Sequence, residues 1–150
     1  MLRGLRVFVS GVALAGITLA GATAASAQEP QMPEKPVLTL DGDAAVVTLL
    51  IKPDKTAEFE SVIAKLREAL GKSEKPERRQ QLAGWKIYKS SQQAQGNAVY
   101  IFFIEPVMKG QEYDITRLIA EVFPVEVQEV FQKYKDSFAG RAITALRKVQ

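Results

Sequence analysis

Asn97-Ala98-Val99-Tyr100-Ile101-Phe102-Phe103-Ile104-Glu105 is the stretch that decides the fold. From Ala98 to Ile104 every residue is apolar, and all but Ala98 are β-branched or aromatic. Such a run reads as a strand whose two alternating faces both leave water. Just before it, Gln92 to Gly96 has turn chemistry, and Gly84 opens Trp85-Lys86-Ile87-Tyr88-Lys89-Ser90-Ser91. There Trp85, Ile87 and Lys89 alternate with Lys86, Tyr88 and Ser90, the pattern of a half-buried strand. Two strands joined by a short turn make an antiparallel hairpin.

Working outward, Ala44 to Lys52 is a second strand apolar on both faces, and Pro53 and Asp54 end it. Phe59, Val62, Ile63, Leu66 and Leu70 then form one stripe of an amphipathic helix over Thr56 to Leu70, which Gly71 stops. Lys72 to Leu82 is polar, and Pro76 suits the start of a short helical turn. Downstream, Asp114 suits the cap of a helix with Ile115, Leu118, Ile119 and Val122 on one side. Pro124 suits the first turn of another, with Val127, Val130, Phe131, Tyr134 and Phe138 on one face. Arg141 to Gln150 fits a closing strand, with a helical continuation as the alternative.

The order strand, helix, strand, strand, helix, strand is the split βαβ plan. It predicts an α+β domain with a four-stranded antiparallel sheet and helices on one face. Helices cover only one side of such a sheet, so the second apolar face calls for another cover, most simply a second copy of the chain.

The chain has 150 residues, 47% of them apolar, with 20 Lys plus Arg against 17 Asp plus Glu and neither cysteine nor histidine. Without Cys there are no disulfides, thiolate nucleophiles or Cys-ligated metals; without His the usual general base near neutral pH is missing. Residues 1–27 have the order of a secretory signal peptide: Arg3 and Arg6, an uncharged run from Val7, and Ala25-Ser26-Ala27 as a small-x-small cleavage site. A retained membrane anchor is the alternative reading of the same run. Cleavage after Ala27 gives an exported, periplasmic or extracellular protein with no stable membrane insertion. Removing Arg3 and Arg6 leaves 18 basic and 17 acidic residues, so the formal charge falls from +3 to +1 and no nucleic-acid partner is expected. Residues 28–43, with Pro30, Pro33 and Pro36, read as a proline-rich mobile leader before a domain over 44–150.

Val46-Val47-Thr48-Leu49-Leu50-Ile51-Lys52-Pro53-Asp54-Lys55 leading into a helix with Phe59, Gly84-Trp85 opening a strand, and Ile104-Glu105-Pro106 closing one resemble the dimeric α/β-barrel superfamily. Its small members include antibiotic-biosynthesis-type monooxygenases. The resemblance covers about residues 44 to 138. It implies a ferredoxin-like subunit whose sheets pair into a barrel, with any small-molecule cavity between sheet and helices. Cofactor-free oxygenases of that group, and its haem-degrading relatives, use Asn, Trp and His around an aromatic substrate. Trp85 and Asn97 match two of these types, but no histidine completes the set or holds haem. No cofactor and no metal are expected.

Glu105 is the best acid–base candidate, because it ends a two-face apolar strand near Lys109, Tyr113 and Asp114. Weak catalytic candidates are therefore Trp85, Asn97 and Glu105, each also readable as a packing, turn or strand-end residue. Tyr88, Tyr100, Phe102 and Tyr113 are candidate ligand-lining aromatics, with core packing the competing role. Lys72, Lys75, Arg78 and Arg79, interleaved with Glu74 and Glu77, read as a solvated loop, with contact to an anion or headgroup as the second reading. The leading expectation is a non-catalytic homodimer holding a small apolar or amphipathic molecule. Its rivals are a cofactor-independent monooxygenase or isomerase acting on an aromatic compound, and an envelope interaction subunit tethered by the leader.

Overall fold

Branched side chains spaced along Ala44–Ile51 and Asn97–Ile104 make these the two central strands of the sheet. The computed structural model describes residues 35–150, so the expected signal peptide and the start of the leader lie outside the described residues. The elements are β1 (Ala44–Ile51), a 3-10 turn (Pro53–Lys55), α1 (Thr56–Lys72), α2 (Pro76–Gly84), β2 (Trp85–Ala94), β3 (Asn97–Ile104), α3 (Ile115–Ala120), α4 (Val127–Ser137) and β4 (Phe138–Leu146). The four strands form one antiparallel sheet in the order β2-β3-β1-β4, an α+β architecture.

Burial alternates along the central strands from Ala45 and from Asn97 onward. Ala45, Val47, Leu49 and Ile51 of β1 and Ala98, Tyr100, Phe102 and Ile104 of β3 are buried. They share one core with Phe59, Val62, Leu66, Ala69 and Leu70 of α1, Leu118 and Ile119 of α3, and Val130 of α4. Full burial of each large side chain contributes about 1.5–3 kcal/mol, which offsets the entropy lost by ordering the chain. Phe59 sits at the centre with no exposure, its ring 4.8 Å from Tyr100, 6.4 Å from Phe102 and 6.2 Å from Tyr134.

The other face of the sheet is only half-buried. Its cross-strand rows are Lys86, Phe103, Val46 and Thr144, then Tyr88, Ile101, Thr48 and Ala142, with Val99, Leu50 and Gly140 beyond them. None of these residues belongs to the core cluster.

Several expectations shift in detail. The turn of the hairpin shortens to Gln95 and Gly96, whose φ values of 53° and 77° are the pair of positive angles that a two-residue hairpin turn requires. The polar stretch after Gly71 holds a full helix, α2, because Arg78 and Gln81 are buried with hydrogen-bond partners in place of apolar ones. The last helix starts at Val127, three residues beyond Pro124, and Phe131 stands 46% exposed on its flank. The closing strand begins at Phe138, so Gly140 lies inside it, against Leu50.

Gly42 controls the entry to β1. It has φ +89°, and a Cβ there would lie 2.5 Å from the Leu146 carbonyl oxygen, which already accepts the Asp43 N–H at 2.8 Å. Gly42→Ala is expected to cost about 1–3 kcal/mol through backbone strain and displacement of β4. A urea midpoint equal to that of the wild type would contradict this.

Candidate functional site

Gly84 ends α2 against the strand end opposite. A Cβ at this position would lie 2.8 Å from the Glu105 carbonyl oxygen, and the Glu105 N–H donates to the Gly84 carbonyl at 2.9 Å. That close approach sets Trp85 opposite Ile104 on the helix-covered face, 3% exposed. Its ring packs 5.7 Å from Phe102 and 5.6 Å from Tyr113. The indole N–H is buried and has no acceptor among the described residues.

Trp85 borders a crevice between sheet and helices, lined also by Leu38, Leu40, Val47, Leu49, Phe102, Ile104, Tyr113 and Ile115, with Asp114, Tyr134 and Arg141 as its polar members. Its free volume is 20 Å³, room for about one water molecule. Burial pushes the Tyr134 phenol up; Arg141 opposes that shift and Asp114 adds to it, so both charges bear on this one hydroxyl. The Asp114 side chain caps α3 by accepting the Arg117 N–H at 3.0 Å and the Thr116 hydroxyl at 2.6 Å.

Leu38 and Leu40 reach the crevice because the chain from Lys35 to Asp43 is tied down. The Glu112 carboxylate, in a residue 8% exposed, accepts four backbone N–H groups: Val37 at 2.7 Å, Leu38 and Tyr113 at 3.0 Å, and Asp114 at 2.8 Å. The Tyr113 N–H donates to the Leu38 carbonyl at 2.8 Å, and its hydroxyl accepts the Met108 N–H at 2.8 Å. Over these residues the proline-rich leader is a docked strap, because a buried carboxylate needs donors and the strap supplies them. Composition alone concealed this, since one Glu in a loop carries no periodic signal. Glu112→Ala is expected to lose about 1–3 kcal/mol and to speed amide hydrogen exchange at Val37 and Leu38 well beyond that of β1. Unchanged protection at those two amides would refute the clasp.

The remaining sequence candidates are dispersed. Asn97 opens β3 at the far end from Trp85, about 23 Å along the strand, and its amide donates to the Gln95 carbonyl at 3.2 Å. Glu105 is exposed at the strand end. The structure therefore does not gather Trp85, Asn97 and Glu105 around one point. Among the ligand-lining candidates, Phe102 and Tyr113 do meet at the crevice. Tyr88 stands 55% exposed on the open face, and the Tyr100 hydroxyl donates to Glu60 at 2.6 Å. Burial pushes the Tyr100 phenol up, helped by that bond, while hydrogen bonds from Lys89 and then Tyr100 hold the Glu60 carboxyl down.

The basic cluster divides. Lys72 and Lys75 pair at the surface with Glu68 and Glu121. Arg78 instead is 5% exposed, giving two hydrogen bonds to Glu121 at 2.9 and 2.7 Å, one to Gln81 at 2.8 Å and one to Gln111 at 3.1 Å. Gln81 in turn donates to the Glu112 carbonyl at 2.8 Å, which links this network to the clasp. Among the described residues no group of three or more acidic side chains is placed to hold a metal ion, and no helix is long and apolar enough to cross a membrane. Comparisons with protein-family models, with curated proteins and with solved structures each find no match.

Proposed function

We propose that this chain is an exported, non-catalytic domain that works as a homodimer joined sheet to sheet, and that it holds a small apolar or amphipathic molecule between its sheet and helices. The observation that carries the reading is the open sheet face. Phe103, Val46, Ile101, Leu50 and Val99 lie side by side there, only partly buried and outside the core cluster of the described residues. Four strands of about eight residues give a flat footprint of about 500 Å², before pleating and side chains enlarge it. That approaches the roughly 800 Å² per partner of a standard stable interface, and a two-fold axis lets one apolar patch cover its own copy.

The strand order β2-β3-β1-β4, antiparallel throughout, supports a ferredoxin-like subunit. The segment from Arg3 to Ala27 supports export. The dispersal of Trp85, Asn97 and Glu105 leaves the oxygenase or isomerase alternative without a site.

Because the chain has no cysteine, a single Thr48→Cys places one thiol at the middle of the open face. Its alkylation is expected to slow as protein concentration rises and a second copy covers it. A rate independent of concentration from nanomolar to high micromolar would contradict a sheet-to-sheet dimer.

A further inference from the structure

We propose that the crevice beside Trp85 binds a small uncharged molecule with an apolar body and one acceptor oxygen, a ketone or ester, which accepts the indole N–H after the Leu38–Leu40 strap lifts. This rests on the reading above that the crevice takes a ligand, and adds what kind.

Three features of the site converge on this chemistry. The wall, which Trp85 helps to line, is apolar apart from Asp114, Arg141 and the phenols Tyr113 and Tyr134. The Trp85 indole N–H is buried with no acceptor among the described residues, so a carbonyl oxygen brought to it supplies a partner that none of them provides. The two charged members, Asp114 and Arg141, are of opposite sign and act oppositely on the same Tyr134 hydroxyl. A cation or an anion thus meets one attraction and one repulsion there while losing its hydration, and a neutral molecule avoids that loss.

Space is the remaining condition. With the strap seated, the crevice admits about one water, so an organic ligand has to take the place of Leu38 and Leu40. The strap is held by Glu112, which accepts the N–H groups of both Val37 and Leu38, and by the burial of Leu40 in the core. Lifting it breaks those bonds and the Tyr113 to Leu38 backbone bond without unpairing any strand. Apparent affinity is then proportional to the fraction of molecules with the strap lifted.

Trp85 is the sole tryptophan, so the purified protein has a single indole N–H resonance. That resonance and the methyl resonances of Val47 and Leu49 are followed during titration with 2-heptanone, heptanoate and heptylammonium. The expected result is a saturable downfield shift of the indole N–H with 2-heptanone, with both ions about tenfold weaker or worse. Glu112→Ala is expected to tighten the ketone about fivefold by lowering the cost of lifting the strap. Methyl shifts without movement of the indole N–H would overturn the acceptor assignment and leave a crevice ligand standing. No shift of any crevice resonance, in wild type and Glu112→Ala alike, would overturn both. A saturable indole shift in a protein shown to be monomeric would support the assignment while removing the dimer.

Discussion

Phe103→Lys is expected to leave the subunit folded and to abolish the proposed sheet-to-sheet dimer. Phe103 lies on β3 between Lys86 of β2 and Val46 of β1, in the middle of the open face. Its ring makes no part of the helix-covered core, so the change removes little from the isolated subunit. In a two-fold dimer, however, each substitution acts twice. Two aromatic side chains leave the interface, each worth about 1.5–3 kcal/mol of burial, and two ammonium groups face desolvation. The sum of at least about 3 kcal/mol weakens dimerisation by more than about a hundredfold. Sedimentation velocity of the variant should show a monomer with the circular dichroism of the wild type. A variant that stays dimeric at low micromolar concentration would mean that the open face is not the interface.

Glu121→Ala should produce the largest loss of subunit stability among the polar contacts. Arg78 is buried, and its guanidinium is paired in bidentate fashion with Glu121. Removing the carboxylate leaves a buried cation with only Gln81 and Gln111 as acceptors. Breaking a buried pair this way costs about 3–5 kcal/mol, and the lower end applies because the Glu121 side chain is 25% exposed. The double variant Arg78→Met with Glu121→Leu should recover much of that loss, since it buries no charge.

The same pair predicts a pH dependence. Burial pushes the Glu121 carboxyl up, but hydrogen bonds and charge from Arg78, joined by Lys75, outweigh it and hold the group below its ordinary 4.5. The hydrogen bond to Glu121, reinforced by its charge, pushes Arg78 further up, so it stays charged throughout. A carboxyl depressed in the folded state stabilises fully above its unfolded value, and that stabilisation is lost as pH falls through the folded value. Urea midpoints of wild type and Glu121→Ala should therefore differ by a constant amount above about pH 5 and converge on acidification below it. A gap that persists unchanged to about pH 2 would remove the Glu121 account.

Much of the fold was legible because its signals are periodic. The two-face apolar strands around Val47 and Phe102 appear where expected, as does the Phe59 to Leu70 stripe of α1. Asp114 caps α3 as its position suggested. The features that escaped lack periodicity. Arg78 looked solvated because its neighbours are charged, yet Glu121, 43 positions away, makes its burial tolerable. Glu112 and the strap are joined across 74 and 75 positions, a pairing that no local pattern encodes. Phe131 looked like core because it sits four residues past Val127, but the stripe is wider than the surface α4 buries. As for the site, Phe102 and Tyr113 follow from aromatic type, and Trp85 from the superfamily resemblance. What joins them is the close approach of Gly84 to Glu105, visible only once strand partners are known.

The central claim is that the apolar open face is covered by a second copy of the chain. Light scattering coupled to size-exclusion chromatography on the purified protein at low micromolar concentration tests it most directly. The account predicts one species of twice the chain mass, which Phe103→Lys halves. A wild-type protein that stays at the mass of one chain through the high micromolar range would contradict it.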